Sequence, residues 1–167
     1  MLLLLSVTFN TQQSRYNTKP AKIEEQLKIT DELYTVQFKT ENTGNNKYNL
    51  IIAIDLEVGA SFISPFERKE LTGKFYMDFG SYDKINFDGN IIETPRAFAV
   101  LDRMSFEPII WVKENTTYTQ PLVLLSEGNF EVFGTLKFTI EPRCTLEIFP
   151  FAIKYQDGEI TIVDAKC

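Results

Sequence analysis

From residue 22 onward the apolar positions recur every second residue rather than every 3.6, the period of strands that bury one face of an antiparallel sheet. Tyr34, Val36 and Phe38 alternate with Thr35, Gln37 and Lys39, and Tyr48, Leu50, Ile52 and Ile54 resume the same alternation. Between them the polar run Glu41-Asn42-Thr43-Gly44-Asn45-Asn46-Lys47 supplies a turn, so the two runs predict a hairpin. Further apolar runs fall at residues 74–79, at Ile91-Ile92 after the Asp88-Gly89 turn, and at residues 109–112, with Pro65, Pro95 and Pro108 punctuating the connections.

The C-terminal third carries the strongest pattern. Residues 122–125 lead into the turn Ser126-Glu127-Gly128-Asn129, after which Phe130, Val132, Leu136, Phe138 and Ile140 share one parity. Glu131, Thr135, Lys137, Thr139 and Glu141 occupy the other, as in a strand with one dry and one wet face. Phe149, Phe151, Ile153 and Tyr155 give a further strand, Asp157-Gly158 a tight turn, and residues 160–163 a last strand. Short strands with turn signals every ~8–12 residues predict an all-β fold, an antiparallel β-sandwich with immunoglobulin-like topology. Helix is expected for no more than a turn, near residues 23–27 or 65–71. No repeat or linker divides the chain, which predicts a single domain over residues 21–167.

The first residues break the alternation. Met1-Leu2-Leu3-Leu4-Leu5-Ser6-Val7 is a short apolar run followed by a polar stretch to residue 22. That order resembles the end of a secretory signal, so residues 1–20 are expected to be an export-signal remnant or a disordered N-terminal segment. A first strand is the competing reading. Export would set the protein in the periplasm or outside the cell, in an oxidising compartment. No stretch approaches the ~18 apolar residues of a membrane-spanning helix, so no transmembrane segment is expected.

Composition narrows the chemistry. The chain has 167 residues with 17 Lys+Arg against 23 Asp+Glu, a net charge of −6, no histidine and two cysteines. This length buries roughly two-thirds of the unfolded surface and folds without cysteine staples. Fourteen Phe and seven Tyr against eight Gly suit a β-rich core. Without histidine, Ser-His-Asp and Cys-His catalysis and histidine-ligated metals are excluded. Without clustered Lys/Arg, nucleic-acid binding is not expected.

The acidic side chains show no convergent pair: Glu67 with Glu70 and Asp83 with Asp88 flank turns, where solvated charge is the ordinary reading. Asp83, Asn86 and Asp88 lack the dense spacing of a calcium loop, and Gly128 and Gly134 do not form a phosphate loop. No metal or cofactor is implied. Asn115-Thr116-Thr117 has the form of a glycosylation acceptor and reads as a turn. Trp111 sits mid-strand and reads as core, the alternative being the lining of a surface pocket.

The cysteines remain. Cys144 follows Pro142-Arg143 at the end of the strongest strand, and Cys167 is the last residue. The ordinary reading of Cys144 is a structural or inert thiol. A loop thiol whose pKa Arg143 lowers, and which is then redox-active, and a Cys144–Cys167 disulfide, which needs Cα atoms within ~7 Å, stay open as alternatives.

The order of features from Glu32 to Asp157 resembles the immunoglobulin-like N-terminal domain of the DsbD family of thiol:disulfide interchange proteins, in its Bacteroidetes-type form. The segments that carry the resemblance are Tyr34-Thr35-Val36-Gln37-Phe38; residues 50–54 leading into Glu57-Val58-Gly59-Ala60-Ser61-Phe62; Phe87-Asp88-Gly89-Asn90-Ile91-Ile92-Glu93-Thr94-Pro95; Thr117-Tyr118-Thr119-Gln120-Pro121-Leu122; and Phe130-Glu131-Val132-Phe133-Gly134-Thr135-Leu136-Lys137-Phe138 through Cys144. The resemblance implies a cysteine pair on a hairpin, reduced by a membrane partner and reducing exported proteins, beneath a cap loop. It makes Cys144 one member of the pair, with Arg143 as its neighbour. The other would stand where this chain has Thr139, Ile140 and Glu141, and no cysteine is there. Cys167 is then the candidate resolving thiol, if the C-terminus folds back. The implied cap lies within residues 96–106, with Phe98 or Phe106 as the shield.

Exchange needs both an attacking thiolate and a resolving thiol. The expectation is therefore an exported interaction module in a thiol-disulfide and electron-transfer setting without a complete dithiol cycle. Its expected partner is an exported protein or a thioredoxin-like or membrane electron carrier. The alternative is a non-enzymatic cell-envelope binding or adhesion sandwich.

Overall fold

A computed structural model describes residues 24–80, 83–102 and 106–165. The strands in chain order are β1 (Glu24–Thr30), β2 (Tyr34–Gly44), β3 (Lys47–Leu56), β4 (Phe62–Ile63), β5 (Tyr76–Phe79), β6 (Ile85–Phe87), β7 (Ile92–Thr94), β8 (Ala99–Leu101), β9 (Pro108–Val112), β10 (Thr116–Leu124), β11 (Phe130–Ile140), β12 (Thr145–Gln156) and β13 (Glu159–Asp164). The strands build an antiparallel all-β architecture of packed sheets, as the alternation predicts. One layer runs β1-β2-β3-β10-β6, with β7 also paired to β10. The other runs β13-β12-β11-β5, and a small sheet, β4-β9-β8, is joined to it just beyond the C-terminal end of β11. That junction is a two-bond bridge in which Ser61 and Glu141 each donate a backbone N–H to the other's carbonyl, at 3.2 and 2.8 Å.

The period-two pattern decides which side chains meet. Tyr34, Val36 and Phe38 of β2 and Leu50, Ile52 and Ile54 of β3 point inward, opposite Leu136, Phe138 and Ile140 of β11 and Phe149, Phe151 and Ile153 of β12. Aromatic pairs stitch the two layers: Phe38 meets Phe151 with ring centroids 5.0 Å apart, and Tyr34 meets Phe138 edge-on at 5.5 Å. Each such side chain, fully buried, contributes about 1.5–3 kcal/mol of hydrophobic stabilisation. The predicted hairpin forms, but its strands run on until only Asn45 and Asn46 turn, at φ 54° and 60°. Two successive positive φ values make the tight turn that suits the twist of paired strands, and asparagine tolerates them.

The expected helical turns are corrected. Residues 24–30 form β1, because Leu27 and Ile29 pair across from Phe38 and Val36 and pack on the core. Residues 65–71 form turns pinned by the side chain of Glu67. The described residues contain no helix long and apolar enough to cross a membrane. The expected export segment, residues 1–20, and the last residue, Cys167, lie outside the described residues.

Candidate functional site

The β11–β12 hairpin closes through Ile140 opposite Thr145, leaving Glu141, Pro142, Arg143 and Cys144 as its tip. Cys144 adopts φ 54° and leaves its thiol exposed and free. It is the only cysteine among the described residues. At the position the family resemblance reserves for a second thiol, Ile140 is fully buried and Thr139 donates its backbone N–H to Gly73 at 2.7 Å.

The geometry does not favour the alternative of an Arg143-activated thiol. The Arg143 guanidinium turns to carboxylates, with Nη2 donating to Glu147 at 2.7 Å and Nη1 reaching Asp31 at 3.2 Å and Glu32 at 3.3 Å. Glu147 also accepts the Tyr34 hydroxyl at 2.8 Å, so the cluster fastens the hairpin tip to the turn between β1 and β2. Burial, followed by the bond to Glu147, pushes the Tyr34 hydroxyl pKa up and keeps it a donor.

The group that governs the thiol is Glu141, whose Oε2 accepts the Cys144 S–H at 3.0 Å. This bond favours the protonated thiol, and the carboxylate charge then repels the thiolate, so the pKa moves up. A thiol held neutral is a poor nucleophile at neutral pH.

Beside the thiol lies a groove of about 530 Å³ lined by Ser61, Val100, Leu101, Asp102, Trp111, Lys113, Glu141 and Cys144. Ser61, Trp111 and Glu141 each adjoin a buried residue, Phe62, Val112 and Ile140, and alternation turns all three outward. Trp111 is thus corrected from core to groove wall, because Val112 takes the inward position. The far wall is β8, which among the described strands pairs with β9 alone. Phe98 and Phe106 do not shield the thiol: they are 77% and 79% exposed and do not line the groove. Val100 and Leu101 line the groove instead. Sequence reading missed this pair because all of β8 is exposed and shows no alternation.

Two carboxylates anchor the connections around this sheet. Glu67, expected to be solvated, is only 7% exposed and accepts backbone N–H groups from Lys69 at 3.0 Å and Ile110 at 2.9 Å. Those donors, led by Lys69, hold its pKa below the ordinary value. Glu93, which the sequence did not single out, accepts the hydroxyls of Ser64 and Tyr118, each at 2.8 Å, and the N–H of Ala97 at 3.0 Å. Both carboxylates are occupied by protein donors, which is the chemistry of anchoring. Asp88 is paired with Lys47 at 2.7 Å, and Asn115 Oδ1 accepts the Leu56 N–H at 2.9 Å, the turn role expected of it. Among the described residues no group of three or more His, Cys, Asp or Glu converges as metal ligands would.

No protein-family model matches the chain, and no curated protein sequence matches it.

Proposed function

We propose that the chain is an exported interaction module resembling the immunoglobulin-like N-terminal domain of DsbD-family proteins, which binds a partner through the Cys144 groove without a complete dithiol cycle. The observation that carries this reading is the setting of Cys144: an exposed thiol on a hairpin tip, at the rim of a groove whose opposite wall is an open strand edge. Exchange chemistry requires a thiolate and a resolving thiol. Glu141 disfavours the first, and the described residues supply no second thiol. Recognition remains, with the apolar wall of Val100, Leu101 and Trp111 for side chains and the β8 edge for an extended backbone. An exported protein or a thioredoxin-like carrier fits that surface.

The test is expression of the whole chain, fractionation, and mass spectrometry after alkylation of living cells, together with a photo-crosslinker placed on Cys144. The expected result is processed protein in the envelope fraction, Cys144 free, and a crosslink to an exported or thioredoxin-like protein that Trp111→Ala and Leu101→Ser diminish. Catalytic turnover of a disulfide substrate overturns the interaction-only reading. A stable Cys144–Cys167 bridge or cytoplasmic retention overturns the setting.

A different observation favours the second reading, an adhesion or envelope-binding sandwich. On the outward parity of the β5-β11-β12 face, Tyr76, Phe133, Leu146 and Ile148 are each at least half exposed. Charged replacements at Phe133 and Ile148 that abolish envelope association, with the Cys144 groove intact, select that reading.

A further inference from the structure

We propose that the cleft between β5 and β10, separate from the Cys144 groove, is a binding site for an extended peptide segment with an apolar residue flanked by one acidic and one basic residue. The cleft has a volume of about 480 Å³; Met77 of β5 forms one wall, Phe87 and Ile91 around the β6–β7 connection form another, and Gln120 of β10 lies among its lining residues.

Two groups there can take a partner. Gln120 is 5% exposed and its Nε2 donates to the carbonyls of Gly89 at 3.1 Å and Pro121 at 3.0 Å. Both acceptors are carbonyl oxygens, so the amide nitrogen must face them, and Oε1 is left with no partner among the described residues. Among the described residues no buried side-chain polar atom lacks a partner, so Oε1 is open to solvent beside the cleft that Gln120 lines, where a ligand N–H can replace water as its donor.

The second group is the backbone of Met77. Gly80 donates to Phe133 O at 2.9 Å, and the same register pairs Phe79 with Gly134 and Met77 with Leu136. In an antiparallel ladder alternate residues bond to the neighbouring strand, so Asp78 and Tyr76 face β11 while Met77 turns its N–H and C=O to the open edge. On that edge the adjacent donors are taken: Phe75 N–H by Ile63 O at 2.8 Å, and Phe79 N–H by Asp78 Oδ1 at 2.9 Å. Among the described residues no strand pairs with the edge beside Met77, and this short length lies against the apolar cleft. A peptide in extended form pairs with such an edge and sends alternate side chains to either side.

Charge complementarity defines the flanking residues. Lys74 lines the cleft with only a long 3.5 Å contact to the Glu67 carbonyl, and Glu70 lines it exposed, without an ion partner among the described residues. A peptide carboxylate meets the first and a peptide cation the second.

The test is titration of the full chain with the blocked peptides acetyl-KTFTD-amide and acetyl-DTFTK-amide, which cover both strand directions, and with acetyl-KTSTD-amide as the version lacking the apolar residue. Binding is followed by backbone and side-chain amide NMR. The expected result is that one phenylalanine peptide binds, shifts the Gln120 side-chain amide, and slows hydrogen exchange at Met77, while the serine peptide does not bind. Lys74→Glu, a surface change, is expected to weaken binding about tenfold. Met77→Pro, which removes a donor from the open edge and leaves the β11 ladder intact, is expected to abolish it. No binding up to the millimolar range, shifts confined to the surroundings of Trp111 and Cys144, or unchanged affinity in Lys74→Glu each overturns the proposal.

Discussion

Phe151 lies across Gly134: the two are cross-strand partners in β12 and β11, and a Cβ placed on Gly134 would stand 2.5 Å from Phe151 Cζ. A glycine inside a strand costs about 0.5–1 kcal/mol in backbone freedom. Here the missing side chain lets the Phe151 ring reach Phe38 at 5.0 Å and Phe79 at 5.6 Å and close the core between the layers. Gly134→Ala is therefore expected to destabilise the fold by about 1–3 kcal/mol, as overpacking does. Urea unfolding measures it. The double variant Gly134→Ala with Phe151→Leu is expected to lose less than the sum of the two single losses, because the clash disappears with the ring. Strict additivity would show that the ring does not hold this position.

Elements whose two faces differ were legible in the sequence, and elements held by contacts remote in the chain were not. β2, β3, β11 and β12 each have one dry and one wet side, so the parity of Phe138 or Leu50 reads directly as burial. β8 has no dry side, and its place depends on pairing Val100 with Ile109. Trp111 was misread by one residue of phase: either Trp111 or Val112 could face inward, and the register with β4 decides. Glu67 looks like any turn carboxylate, because the backbone donors that bury it leave no mark in residue type. Arg143 was assigned to its sequence neighbour Cys144, while its partner Asp31 lies 112 residues away. Such pairing follows from topology and is invisible to local spacing.

The Tyr118 hydroxyl shows how much one such contact carries. It donates to Glu93, while its ring, fully buried, stacks on Phe75 with centroids 4.1 Å apart. Tyr118→Phe keeps the ring and removes only the donor, leaving a buried carboxylate with one partner fewer. The expected loss is about 1–3 kcal/mol. Ser64→Ala removes the other donor to the same oxygen, and the two changes are expected to be non-additive in thermal or urea unfolding. A neutral Tyr118→Phe would mean that Glu93 is satisfied without it.

Glu67 makes stability depend on pH in a definite direction. Backbone donors from Lys69 and then Ile110 lower its folded pKa below the ordinary 4.5. A folded value below the unfolded one gives stabilisation that is complete above the unfolded pKa and is lost as pH falls through the folded one. Asp31, lowered first by the Leu33 N–H and then by Arg143, adds the same sign. Urea midpoints are thus expected to fall between about pH 5 and pH 2. Glu67→Gln is expected to be less stable than the parent near neutrality, with the gap narrowing in acid. A gap independent of pH would show that the carboxylate charge contributes nothing.

The reactivity of Cys144 separates the two neighbours that compete to control it. If Arg143 set the thiol pKa, alkylation would be fast at neutral pH and Arg143→Ala would slow it. The geometry assigns control to Glu141, which accepts the S–H bond at 3.0 Å, while the guanidinium is engaged by Glu147, Asp31 and Glu32. The expected outcome is that iodoacetamide reacts with Cys144 more slowly than with an unstructured cysteine peptide at the same pH. Glu141→Gln should raise that rate by roughly threefold or more, since each pKa unit changes the thiolate fraction about tenfold below the midpoint. Its bridge to Ser61 uses backbone atoms only, so the substitution leaves the junction between the sheets in place. Arg143→Ala should change the rate by less than about twofold while loosening the hold of the hairpin tip on the β1–β2 turn, readable as faster amide exchange around Leu33. The opposite ranking of the two variants would return the thiol to Arg143 and reopen a nucleophilic role for it.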